Sequence, residues 1–192
     1  MSFETIRQAI IDDGDNAWAR ERGYAPIYSV GPRARVAVIG QAPGIKAQGS
    51  GIPWNDASGR RLLDWLGVTE QQFRDPTLFA LIGMDFFYPG KAVSGDLPPR
   101  KGFAARWHPQ LFDLMPDIRF TIVIGAYAQR YYLDAPATRN LTETVRAFRD
   151  YLPDAIPLVH PSPLNLGWQN RNPWFVSDLV PVLRERVAAA IA

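Results

Sequence analysis

Val36-Ala37-Val38-Ile39-Gly40-Gln41-Ala42-Pro43-Gly44 is a run of four apolar residues that passes without a break into a loop bounded by glycines. Unbroken apolarity, as opposed to alternation, suits a strand covered on both faces, as in a parallel sheet. Phe120-Thr121-Ile122-Val123-Ile124 and Ile156-Pro157-Leu158-Val159 read the same way, and Phe79-Ala80-Leu81-Ile82 is a fourth candidate. Helical patterns lie around and between them. Phe3–Asp12 opens the chain, and a short helix starts near Ala17 and ends at Gly23-Tyr24-Ala25-Pro26. Ser58–Leu66 spaces its apolar residues helically, with Ser58 as N-cap and Gly67 as the stop. Phe103–Leu114, Ala126–Leu133, Thr142–Phe148 and Phe175–Ile191 follow. This alternation predicts an α/β fold, a three-layer α/β/α sandwich with a central, mainly parallel four-stranded sheet. Right-handed crossovers put the strand C-termini on one edge, where such sheets bind ligands.

Composition narrows the chemistry. At 192 residues, 47% hydrophobic and 21% charged, residues 1–192 are expected to form one soluble globular domain. The absence of cysteine excludes disulfides, thiolate nucleophiles and cysteine-ligated zinc or iron–sulfur centres. With two histidines, His108 and His160, a multi-histidine metal site is not expected either, so the reading requires no cofactor. No apolar run reaches the roughly 18–20 residues of a membrane span, and Met1–Arg7 lacks the pattern of a cleaved leader. A cytoplasmic monomer that makes no membrane contact is the expectation. The net charge of +2 allows contact with a polyanion, but affinity for nucleic acid has to come from a local patch.

Two loops carry the functional signal. Gly40 and Gly44 let the first approach a ligand closely and present main-chain N–H groups, while Pro43 stiffens it. It is no dinucleotide fingerprint, and no Walker lysine follows. The second, His160-Pro161-Ser162-Pro163-Leu164-Asn165, follows the last strand. Its prolines freeze an extended segment on either side of Ser162. A lone histidine is commonly a satisfied core or capping residue. At a strand C-terminus beside a proline-locked turn, His160 reads instead as a group aimed into a site.

Gly40-Gln41-Ala42-Pro43-Gly44 together with His160-Pro161-Ser162-Pro163-Leu164 resembles the paired signature of the uracil-DNA glycosylase superfamily, where the first motif follows the first strand and the second the last. Gly51-Ile52-Pro53-Trp54-Asn55-Asp56-Ala57-Ser58-Gly59, Asp85-Phe86-Phe87-Tyr88-Pro89-Gly90-Lys91 and Ile122-Val123-Ile124-Gly125-Ala126 resemble intervening segments of that family, in the same order. The resemblance implies a DNA glycosylase acting on uracil or another deaminated or damaged base flipped out of DNA. It gives His160 a hydrogen bond to the departing pyrimidine's O2, assisted by the amides of Gln41 and Ala42. Ser162 would hold a flanking phosphate, Leu164 would fill the vacated stack, and Trp54 would lie on the base. Trp54 also reads as an ordinary core or loop aromatic. The candidate site is therefore His160, Gln41 and Asp85 for catalysis, with Gly40, Ala42, Pro43, Trp54, Ser162, Leu164 and Asn165 for binding.

The sequence departs from the family at one important place. Ala42 stands where the most active branch has an aspartate, and Gln41 where another has a glutamate. The replacement carboxylate is expected at Asp85, at the end of the second strand, with Asp56 as the other choice. Arg171, Lys46, Lys91, Arg100 and Lys101 lie in loops near the motifs and are candidates for DNA backbone contact. The missing acid leaves open a relative that binds DNA or abasic sites without releasing a base, and the same pocket allows a further reading, an enzyme acting on free nucleosides or nucleotides.

Overall fold

A computed structural model describes every residue except 94, 134, 135, 137 and 138. Its four strands are β1 (Val36–Gly40), β2 (Phe79–Gly83), β3 (Phe120–Ile124) and β4 (Ala155–Leu158). They form one sheet in the order β2-β1-β3-β4, with every neighbouring pair parallel. The chain before the sheet forms α1 (Phe3–Asp12) and α2 (Ala17–Glu21). Between β1 and β2 lie α3 (Ile45–Ser50), α4 (Ala57–Leu66) and α5 (Glu70–Arg74). Next come α6 (Phe103–Phe112), α7 (Ala126–Tyr132), α8 (Leu141–Arg146), α9 (Leu166–Arg171) and α10 (Val180–Ile191).

Period-2 geometry divides each strand between two cores. Val36 and Val38 of β1 pack with Leu62, Phe73, Val145 and Leu183, beneath α4, α5, α8 and α10. Ala37 and Ile39 face the other side with Val123, Ala104 and Ala128, and beside them Ala80 and Ile82 meet Ile6, Trp107 and Leu111. That second face is covered by α1, α2, α6 and α7. The result is the expected three-layer sandwich, and the sheet is parallel throughout.

The two outer edges of the sheet are blunted in different ways. On β2, Leu81 exchanges both main-chain hydrogen bonds with Ser29, at 3.0 and 2.7 Å, and Phe79 N donates to Asp75 O at 2.9 Å. On β4, Asp154 O and Leu158 O accept from β3 and its following turn, so Pro157 points its donorless nitrogen outward.

Several boundaries differ from the sequence reading. The N-cap of α4 is Asp56, not Ser58, because its carboxylate reaches the Gly59 N–H at 2.9 Å. The last helix begins with a π-helical turn at Phe175–Leu179. A regular α-turn there would press the Pro181 ring on the Ser177 carbonyl, and the wider turn relieves that contact. α3, α5 and α9 have five or six residues each, too short for a helical period to register.

Candidate active site

The two loops meet at the C-terminal edge of the sheet. Residues from both line one cleft of about 540 Å³, with Trp54, Asp56, Lys91 and Asp96. Gly40, Gln41, Ala42, Pro43, His160, Ser162, Leu164 and Asn165 all contribute to its wall. Of the residues expected there, only Asp85 is missing from the lining.

The second loop is fixed by its own hydrogen bonds. Asn165 Nδ2 donates to the His160 carbonyl at 2.8 Å, and Ser162 Oγ accepts from Leu164 N at 3.2 Å. Arg61 Nη1 on α4 adds a contact to Ser162 O at 3.3 Å. These bonds fix the main chain that carries the imidazole while leaving Leu164 91% exposed at the rim. Burial pulls the His160 imidazole below the ordinary histidine value, opposed by the charges of Asp56 and Asp96. It therefore faces the cleft neutral at pH 7, with one N–H to donate.

The first loop is shaped by what it must avoid. A Cβ on Gly40 would come within 2.9 Å of the Trp54 ring, so glycine there lets the indole lie across the strand end. The indole stacks beside His160, with ring centroids 5.8 Å apart and planes 29° apart. Trp54 holds a left-handed backbone with φ of 57°, a conformation that costs a bulky residue about 1–3 kcal/mol. Gly59 makes it possible, since a Cβ there would sit 1.8 Å from the Trp54 carbonyl oxygen. Arg74 clamps the segment by donating to the carbonyls of Pro53 and Trp54. The N–H groups of Gln41 and Ala42 donate to no main-chain carbonyl among the described residues, whereas the Gln41 side chain is engaged, its Nε2 donating to Leu97 O at 3.1 Å.

Asp85 takes a different place from the one expected. Its carboxylate is 1% exposed and grips Arg100 through two bonds, Nε to Oδ2 at 2.7 Å and Nη2 to Oδ1 at 2.9 Å. It also accepts from the main-chain N–H groups of Phe87 and Arg100. Arg100 in turn donates to Asn16 Oδ1 at 2.6 Å and lies over the Phe103 ring. Two residues expected at the ligand thus neutralise each other between α6 and the turn at Asp15 and Asn16. Strand-end position brought Asp85 near the edge, but the half-buried guanidinium claimed its lone pairs.

His108 is likewise structural. It is buried on α6, where Nε2 donates to Gly83 O at 2.9 Å and Nδ1 accepts from the Tyr132 hydroxyl. Burial pushes its pKa down to about 4. Among the described residues no group of three or more His, Cys, Asp or Glu is arranged to hold a metal ion, and no helix is long and apolar enough to cross a membrane.

A three-layer α/β/α sandwich thus carries, at one edge of its sheet, a histidine loop, two amides with no main-chain partner among the described residues, and an aromatic wall. The family model described as the uracil DNA glycosylase superfamily matches residues 28–184, a span that contains all four strands and both loops. The chain belongs to that superfamily.

Proposed function

We propose that the protein is a DNA glycosylase that hydrolyses the N-glycosidic bond of uracil, or of another deaminated or damaged base, after the base has left the duplex. The observation that carries this reading is the convergence of the His160 loop and the Gly40–Gly44 loop on one cleft with an exposed Leu164 at its rim. Bond cleavage puts negative charge on the departing base, and preorganised donors stabilise it far better than mobile water does. The neutral His160 imidazole supplies one donor, and the amides of Gln41 and Ala42 supply others. Trp54 offers a stacking face, worth about 1–3 kcal/mol for a base. Leu164 enters the gap that the flipped base leaves, and Ser162 faces a neighbouring phosphate.

The test is release of free base from a duplex oligonucleotide carrying one uracil, read as an alkali-labile abasic site. His160→Ala is expected to slow release by about 10²–10³-fold, the usual loss for one such donor, with an unchanged circular dichroism spectrum. Failure of the wild-type protein to act on uracil, hypoxanthine, xanthine or thymine mispairs would overturn the proposal. Tight binding to an abasic duplex without turnover would select the binding-only reading instead.

A further inference from the structure

We propose that Asp96, on the connection from β2 to α6, is the carboxylate that takes the proton from the attacking water. This rests on the glycosylase reading and supplies the acid that the first loop lacks. Asp96 lines the same cleft as Gly40, Ala42 and His160. Its placement is built into the backbone. Gly90 and Gly95 have φ of 107° and 74°, and Lys91 and Asp96 form an antiparallel bridge. Leu97 N donates to Gly90 O at 2.9 Å, and Pro98 and Pro99 stiffen the exit.

The first loop itself holds this connection in place. Gln41 Nε2 donates to the carbonyl of Leu97, the residue after Asp96. The amide that stands where one branch of the family has a glutamate thus anchors the segment that brings a carboxylate from elsewhere. Tyr88 is buried close by, and burial first, then the charge of Asp96, raises the pKa of its hydroxyl. Asp56, the other carboxylate of the cleft, has one oxygen committed to the α4 N-terminus. Asp85 is consumed by Arg100. Asp96 is the acid in the cleft that is tied to no helix cap and, among the described residues, to no cation within ion-pair distance.

The step balances. The water oxygen bonds to the sugar C1′ as the C1′–N bond breaks, and that electron pair leaves on the base, whose O2 accepts from His160. The water proton passes to an Asp96 oxygen and returns to the base or to solvent on release.

The test uses the full chain, a uracil duplex under single-turnover conditions, and a duplex with uncleavable 2′-fluoro-deoxyuridine as the binding probe. Asp96→Asn is expected to slow cleavage by about 100-fold or more, within the range of a general base, while probe affinity and melting temperature hold. Asp96→Glu should recover part of the rate. A smaller loss in Asp96→Asn overturns the proposal. So does a loss matched by weaker probe binding, a lower melting temperature or an altered choice of base, each of which assigns Asp96 to structure or recognition. A wild-type protein inactive on every deaminated base overturns the glycosylase reading as well, so the two failures are told apart by the wild-type arm.

Discussion

Asp85 and Asp96 leave the same strand on the same connection, yet they meet opposite fates. Asp85 is enclosed, with a guanidinium and two main-chain N–H groups on its oxygens. Asp96 stands at the wall of the cleft and stays exposed. The closer of the two to the strand end is the one with nothing left to offer a substrate. What qualifies a carboxylate for chemistry is an uncommitted lone pair facing the ligand, and proximity to the sheet edge does not provide it.

The contrast can be broken first at Asp85. Asp85→Asn leaves Arg100 charged, half-buried and short of its partner, which for a buried pair costs about 3–5 kcal/mol. Urea denaturation should show that loss, and a variant of wild-type stability would mean that the ion pair does not hold this corner together. The next effect concerns the buried imidazole nearby. His108 is pushed down to about 4 in the folded protein, against 6.5 for an ordinary histidine, so the unfolded chain takes up its proton first as pH falls. Stability is therefore full above about pH 6.5 and declines toward pH 4, by on the order of 3 kcal/mol from this group. His160, lowered in the same direction, adds to the same decline. Denaturation curves at stepped pH should flatten over that window in His108→Asn, and an unaltered slope would contradict the assignment. The smallest effect lies at the rim. Leu164→Ala should slow release from duplex DNA about tenfold, or about 1.4 kcal/mol, and leave release from single strands nearly unchanged. Equal losses on both would remove the wedge role.

Much of the fold was legible because burial on both faces leaves a plain mark on sequence. Val36–Ile39 and Phe120–Ile124 could hardly be anything but interior strands, and Gly67 ended its helix with φ of 68° as read. The two loops were also visible, since glycine and proline report backbone constraint directly. What escaped depends on long-range pairing. Nothing near Asp85 announces Arg100, and the α4 cap passed to Asp56 because its carboxylate, and not the Ser58 hydroxyl, reached the free N–H. Asp96 had a faint local signal in Gly90, Gly95 and the Pro98-Pro99 pair, which together mark a tight return. Its value emerged only once that return was seen to rest on Gln41. The left-handed Trp54 was beyond sequence reading, because the permission for it sits at Gly59, on the next helix.

The blunted edges of the sheet bear on how the molecule behaves in company. Leu81 has spent both of its main-chain groups on Ser29, Phe79 N and Gly83 O are taken by Asp75 and His108, and Pro157 has no N–H to present on the far side. Among the described residues a neighbouring copy therefore finds no unbroken row of donors on which to lay a strand, the usual first contact in edge-to-edge aggregation.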